Sequence, residues 1–177
     1  MNPLKDFELE VITQKDIIDV NTCIKLGVDY IIMPYVRNAS DVKVLKEMLE
    51  IKGRNMKILS KINDRIALQH IDEILAESDG IVISRGFLGI DVPITEMAFI
   101  QHYLSKLANK SGKPVLVVAQ IMDSMIHQLI PTRAEASDIA NAVADGIDAI
   151  ILSDETSTGP FFKEACSQMS KICYEAE

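Results

Sequence analysis

Five short apolar segments recur along the chain, and they limit its possible folds more than any other feature. Three of them begin with Gly or Asp-Gly and continue into a β-branched run, at residues 27–32, 79–83 and 145–151. Two more, at 56–62 and 114–119, have the same strand character. Continuous apolar runs are typical of strands that are buried on both faces of a parallel sheet, whereas half-exposed strands alternate. The sequence therefore predicts five parallel strands.

Helical patterns separate these strands. Thr13 is suited to cap the first helix, Gly27 to end it and Asn38 to begin the second. Apolar residues at helical spacing predict four more helices, at about 66–76, 94–109, 133–144 and 161–176. A repeated βα unit of this kind builds either a doubly wound open sheet or a (β/α)₈ barrel. No Gly-rich dinucleotide fingerprint follows the first strand, and five strands are too few to close an eight-stranded barrel.

Composition narrows the class of protein. The chain has 177 residues, close to the length of one domain, and we expect residues 1–177 to form a single domain. Its 18 Lys and Arg against 26 Asp and Glu give a net charge of −8, which disfavours nucleic acid as a partner. No apolar run approaches the ~20 residues that would span a bilayer, and the charged N-terminus does not resemble a signal peptide. Three unpaired cysteines, Cys23, Cys166 and Cys173, indicate a cytoplasmic, reduced protein.

Candidate functional residues follow the predicted strands, because sites in parallel βα folds gather at the carboxyl ends of the strands. The polar, aromatic and small residues at these positions are Tyr35, Lys61, Asn63, Asp64, Arg85, Gly86, Phe87, Ala119, Gln120, Ser153, Asp154 and Glu155. His70, His102 and His127 lie elsewhere and share no metal-ligand spacing. We expect them to be surface or core histidines.

Several of these segments resemble the barrel of the pyruvate kinase family: SKIND, ISRGFLGIDVP, GKPVLVVAQIMDSMI, PTRAEASDIANAVADG and LSDETSTG. The similarity runs from near residue 12 to the end. It implies an α/β fold that is a partial TIM (β/α) barrel, with about five parallel strands alternating with six helices. It also implies that the first three barrel strands, the lid domain and the C-terminal domain have no counterpart here. In the family, those earlier strands supply the potassium site and much of the nucleotide site.

The resemblance also assigns roles to individual positions. Lys61 matches the lysine that stabilises the transferring phosphoryl group and the enolate, and Gly86 is retained beside it in the substrate site. Asn63 stands where the family motif SKIEN has a metal-binding glutamate. Phe87 replaces the second metal ligand, the aspartate of ARGDLG. Ala119 replaces the threonine of ATQMLESM, whose hydroxyl lies at the proton-transfer site.

These replacements predict that no metal is held. Magnesium prefers carboxylate oxygens, whereas Asn63 offers a neutral amide and Phe87 offers no ligand. Asp64 would restore a ligand after a one-residue shift, and Asp154 either adds a carboxylate or is a solvated loop acid. We expect Phe87 to plug a core or an interface. Lys61 either binds a phosphate or carboxylate, or pairs with a nearby acid.

Two functions remain open. In the first, the protein has lost phosphotransfer activity and acts as an interaction or structural element, because an incomplete barrel leaves edges that a partner protein or a second copy would close into an oligomer. The second is an active pyruvate kinase subunit or fragment that transfers phosphate from phosphoenolpyruvate to ADP in glycolysis. That enzyme would need magnesium, potassium and the missing strands. A variant of this function is an enzyme that needs no metal and uses Lys61 to act on an enolizable acid.

Other features have expected structural roles. By the resemblance, Arg85 and Arg133 make internal salt bridges around the barrel end. Cys166 and Cys173 lie seven residues apart on one helix face, and packing is their expected role. The segment 127–130 carries apolar residues where the family has basic ones, which predicts a protein contact there.

Overall fold

The computed structural model describes residues 11–53 and 55–177 and contains one five-stranded sheet. All neighbouring strands pair in parallel, with Tyr30 opposite Lys57 at one edge and Leu116 opposite Ala149 at the other. The strands are β1 (Tyr30–Met33), β2 (Lys57–Ile62), β3 (Gly80–Ser84), β4 (Val115–Val118) and β5 (Ala149–Ile151). The prediction of five parallel strands is confirmed.

Strand order distinguishes the two architectures that the sequence left open. The spatial order is β1-β2-β3-β4-β5, the same as the order along the chain. A doubly wound sheet reverses its strand order at a switch point, whereas a barrel adds each strand beside the previous one. The fold is therefore a half-barrel, as the resemblance implied, and β1 and β5 are its two edges.

The helices are more numerous than expected. The described residues contain nine α-helices, where the sequence predicted six. Their bounds are α1 (Gln14–Leu26), α2 (Ala39–Ile51), α3 (Arg65–Gln69), α4 (Ile71–Glu77), α5 (Arg85–Asp91), α6 (Ile94–Lys110), α7 (Arg133–Ala144), α8 (Asp154–Ser157) and α9 (Phe162–Ala176). The expected third helix is divided at His70 into α3 and α4. Helices α5 and α8 are single short segments directly after β3 and β5, too short for helical periodicity to reveal.

The predicted capping roles of Thr13, Gly27 and Asn38 are confirmed. Thr13 and Asp16 form a reciprocal capping box at the start of α1, and Gly27 ends that helix with φ +68°. Asn38 accepts a hydrogen bond from the backbone N–H of Asp41 at the start of α2. Each cap satisfies backbone groups that have no partner within the helix. These local bonds explain why the helices begin and end where the sequence places them.

The core lies between the sheet and the helices, and the middle strand is the best covered. Every residue of β3 is buried. A Cβ atom on Gly80, its first residue, would lie 2.5 Å from the carbonyl oxygen of Pro114, so only glycine allows strand β4 to approach this closely. The edge strand β1 differs, since Tyr30 is 55% and Ile32 is 41% exposed. In the described part of the chain, no helix is both long and apolar enough to span a membrane.

Candidate functional site

Asn63 lies buried at the carboxyl end of β2, where it joins three strand ends. Its side-chain oxygen accepts a hydrogen bond from the backbone N–H of Tyr35 at 3.2 Å, in the turn after β1. Its side-chain nitrogen donates to the hydroxyl of Ser84 at 3.4 Å, at the end of β3. Asn63 is 4% exposed, so both ends of the amide are used inside the protein. The side chain thus holds neighbouring loops together.

Lys61, Phe87 and Tyr35 form a cluster at the same edge of the sheet, which we call the aromatic-lysine cluster. The ammonium group of Lys61 lies 5.6 Å from the centroid of the Phe87 ring. The rings of Tyr35 and Phe87 meet edge to face, with centroids 5.8 Å apart and planes at 79°. Phe87 is 45% exposed. Phe87 therefore does not belong to the core of this chain, because its ring lies at the surface beside Lys61. The expectation that it fills an interface stays a prediction.

Asp64 and Asp154, the two carboxylates that could replace a metal ligand, lie at the N-terminal ends of two short helices. Asp64 accepts a hydrogen bond from the backbone N–H of Ala67 at 2.8 Å and so caps the N-terminus of α3. Asp154 is exposed in the first turn of α8. A carboxylate occupied as a helix cap has a partner already. Asp64 is therefore engaged within its own helix, and Asp154 lies at the surface.

Gly86 and Ala119 lie side by side across the ends of β3 and β4. A Cβ atom on Gly86 would lie 3.4 Å from the Cβ of Ala119, which is ordinary to tight contact. Ala119 and the next residue, Gln120, both have positive φ angles, of 71° and 56°. L-amino acids with a side chain rarely adopt this conformation. The backbone after β4 therefore turns sharply at the position where the family has its threonine.

Arg85 holds this turn in place. Its guanidinium group donates to the carboxylate of Asp138 on α7 and to the backbone carbonyl of Gln120. The side chain is only 15% exposed. The expected structural salt bridge of Arg85 is confirmed. Arg133 differs, since it is exposed and makes no ion pair with any other described residue.

Glu155 is a buried carboxylate that the sequence placed at a strand end without a distinct role. It is fully buried and accepts hydrogen bonds from the backbone N–H groups of Met122 at 3.0 Å and Ser153 at 2.8 Å. Its carboxylate thereby joins the segment after β4 to the segment after β5. The sequence signal that could have found it is an acid directly after an apolar strand, followed by residues of high helix-capping tendency.

Asp123 lies near Glu155 in an acidic environment. Burial raises the pKa of the Asp123 carboxyl, and the negative charges of Glu155, Glu135 and Asp154 raise it further, while Arg85 opposes the shift. The acids at the ends of β4 and β5 therefore repel one another. The cationic Lys61 lies on a different strand from these acids, near the carboxyl end of β2.

The residues present do not fit a carboxylate-held magnesium ion at the positions that the resemblance assigns. The Asn63 oxygen already accepts a hydrogen bond from Tyr35, and Phe87 has no ligand atom. Among the described residues, no three His, Cys, Asp or Glu side chains are grouped so that they could hold a metal. The Lys61 ammonium group lies instead beside the Phe87 ring, which in turn contacts the ring of Tyr35.

The structure also describes the surroundings of the histidines, the cysteines and the loop at 127–130. His70 pairs with Glu73 and His102 with Asp145, which agrees with surface histidines. Cys166 is exposed, so packing does not explain it, whereas the thiol of Cys173 lies 3.8 Å from the sulfur of Met169. Leu129 and Ile130 are 54% and 62% exposed, and the predicted protein contact at this loop stays a prediction.

Comparison with known proteins adds independent information. The family model described as the barrel domain of pyruvate kinase matches residues 2–166. A pyruvate kinase of Eimeria tenella is 43% identical over 171 residues, which cover 96% of this chain and 32% of that protein. Pyruvate kinases of Dictyostelium discoideum and Geobacillus stearothermophilus are 41% and 43% identical and are covered over 33% and 28% of their lengths. The chain thus spans about a third of the length of the curated relatives that it matches.

Proposed function

Because this chain belongs to the pyruvate kinase family, we propose that it keeps part of the family's barrel as a scaffold, has lost phosphotransfer activity, and acts as an interaction or structural element. The observation that carries this proposal is the arrangement of Asn63 and Phe87. The amide of Asn63 joins Tyr35 to Ser84, and the Phe87 ring lies against the Lys61 ammonium group. Two positions that would hold a metal are thus used for contacts within the fold.

The expected loss of rate is large. Phosphoryl transfer depends on metal ions and cationic side chains that neutralise charge on the phosphate oxygens. Removal of one well-placed electrostatic group costs on the order of 10²–10³ in rate. Here two carboxylates and one hydroxyl are replaced, by Asn63, Phe87 and Ala119. Lys61 alone supplies one positive charge, which does not balance the charge of a phosphoryl group in transfer.

The interaction role is supported by the open edges of the half-barrel. In the part of the chain that the structure describes, strands β1 and β5 each have a neighbour on one side only. Tyr30 and Ile32 are two residues apart on β1, so they lie on one face of the sheet, and both are exposed. A closed barrel fills its interior with such side chains. A partner that adds parallel strands to these edges would cover them, and we place that assembly in the cytoplasm.

A direct assay tests the loss of activity. Pyruvate formation from phosphoenolpyruvate and ADP is measured with Mg²⁺ and with Mn²⁺, with Lys61→Ala as the blank. We expect no turnover above that blank. Turnover that disappears in Lys61→Ala would overturn the proposal and favour the active enzyme.

A second experiment compares metal binding by the natural chain with metal binding by a variant in which both carboxylates are restored. Mn²⁺ binding, followed by electron paramagnetic resonance, is compared between the natural chain and the double variant Asn63→Glu/Phe87→Asp. We expect saturable binding only in the double variant, because only there do two carboxylates return to the ends of β2 and β3. Equal binding by both proteins would mean that the metal is held elsewhere.

A further inference from the structure

The aromatic-lysine cluster has the composition of a binding site for a different kind of ligand. We infer that Lys61, Phe87 and Tyr35 bind monovalent organic acids that carry a flat apolar group, such as aryl carboxylates, without a metal ion. The inference concerns binding alone, so it holds whether or not the chain turns over phosphoenolpyruvate.

The charge of the ligand follows from Lys61. Among the described residues, no carboxylate oxygen lies within 4.0 Å of its ammonium group, although the chain has an excess of acids. The neighbouring charged side chains have partners of their own, since Asp64 caps α3 and Arg85 pairs with Asp138. One ammonium group without a counter-ion at the end of a strand suits one carboxylate.

The shape of the ligand follows from the two rings. Phe87 is 45% and Tyr35 is 57% exposed, although their rings contact each other. With the ring planes at 79°, they form a corner in which a flat group can stack on one ring and meet the edge of the other. The Lys61 ammonium lies on the Phe87 ring, so a carboxylate joined to a flat group by a short linker would reach it.

The corner is formed before any ligand binds. Tyr35 has a φ angle of 56°, and the hydrogen bond from its N–H to Asn63 helps to hold this turn. Phe87 lies on α5, which begins directly after Ser84, and Ser84 accepts from the same amide. Groups that are already fixed lose little conformational entropy on binding, which improves affinity.

Two features make phosphoenolpyruvate a poor match. Its phosphate and carboxylate together carry more negative charge than one lysine neutralises, and it has no flat apolar group to cover the rings. An aryl carboxylate satisfies both conditions with one charge and one ring. The inferred ligand class therefore follows from what replaced the metal ligands, namely an amide that fixes the turn and a ring beside the lysine.

The test measures binding of phenylacetate and acetate to the full chain by calorimetry and NMR, in buffer without divalent cations. We expect phenylacetate to bind at least about tenfold more tightly than acetate, because acetate lacks the stacking group. Lys61→Met should weaken phenylacetate at least about tenfold, and Phe87→Leu about three- to tenfold. Chemical shift changes should centre on the backbone signals of Tyr35 and Phe87.

Two control variants replace the same kinds of side chain, a lysine and a phenylalanine, at positions outside the proposed site. Lys57→Met removes a lysine from the other end of the same strand, and Phe162→Leu alters a second exposed ring that has a lysine ammonium 5.9 Å from its centroid. Both should bind phenylacetate like the natural chain. Equal affinity for acetate and phenylacetate, or equal losses in the control variants, would overturn the inference. Circular dichroism on each variant separates a lost site from a lost fold.

Discussion

The side-chain oxygen of Asn63 accepts a hydrogen bond from the backbone N–H of Tyr35 at 3.2 Å, so a position associated with metal binding is here a link between strand ends. The bond satisfies a donor in a turn whose φ angle is 56°. Strain in such a turn persists only where the surroundings hold it. The stability of this edge of the sheet should therefore depend on the amide.

Replacement of Asn63 by leucine tests this dependence. The variant keeps the number of side-chain heavy atoms but leaves the buried Ser84 hydroxyl without the amide, and a buried polar group that is left unsatisfied costs about 1–3 kcal/mol. We expect urea denaturation to show a loss of that size in the free energy of unfolding. Asn55→Leu, at an exposed position between α2 and β2, is the control and should change stability little. Equal, small losses in both variants would mean that the Asn63 bonds contribute nothing measurable.

A second prediction concerns Ala119. Restoring the family's threonine places a β-branched side chain at φ +71°, beside Gly86. Because the natural alanine already adopts this left-handed conformation, the added cost comes from branching at Cβ, which restricts χ1 and increases crowding, so Ala119→Thr should lower the melting temperature. Ala119→Gly relieves the strain and should be near neutral or stabilising. A threonine variant as stable as the natural chain would show that the turn adapts freely.

Much of the fold follows from local patterns that the sequence displays directly. The strands β3 and β4 are almost entirely apolar runs, and α7 has the bounds 133–144 that its periodicity predicts. The boundaries of α1 and α2 follow from the caps at Thr13 and Asn38. These features depend on neighbours in the sequence, so no tertiary information is needed. The short helices α5 and α8 were not predicted, because segments of seven and four residues are too short to show a repeated apolar spacing.

The candidate site was predictable in composition but not in arrangement. Strand-end positions identify Lys61, Asn63 and Phe87 as members of one edge, and the structure places them there. The Tyr35–Phe87 contact depends on a positive φ angle and on a hydrogen bond that spans 28 residues. The full burial of Glu155 depends in the same way on a backbone donor 33 residues away. No local pattern encodes such pairings.

A third prediction concerns pH and the start of α7. Partial burial disfavours ionisation of Glu135, but hydrogen bonds from the side chain and backbone of Ser124 and from Thr132 outweigh it and lower the pKa of Glu135 below its ordinary value of 4.5. The ionised carboxylate completes the capping box of α7 and also binds the Ser124 N–H at 2.9 Å. Its contribution to stability is therefore fully present above pH 4.5 and is lost as the pH falls through the lowered pKa of the folded state.

Glu135→Ala should accordingly cost about 1 kcal/mol at pH 7, and the difference from the natural chain should shrink below the ordinary pKa. The free energy of unfolding is measured across this range for both proteins. Glu47→Ala, at an exposed position on α2, is the control. A difference that stays constant as the pH falls would show that packing of the side chain, and not its charge, stabilises this helix.

The last prediction concerns the open edge at β1. Tyr30 and Ile32 are 55% and 41% exposed on one face of a strand that, among residues 11–53 and 55–177, has no neighbour on its outer side. Exposed apolar groups beside unpaired backbone donors and acceptors promote association, and in the purified protein the available partner is a second copy. Sedimentation velocity should therefore show association that increases with concentration. Ile32→Lys should shift this equilibrium toward the monomer, because a charge on an edge strand opposes pairing.

Ile51→Lys is the matched control, since Ile51 is 87% exposed at the end of α2. If both lysine variants reduce association equally, added charge is the cause and β1 is not the contact. If the natural chain stays monomeric throughout, its edge does not pair with itself, and the interaction role then requires a different protein.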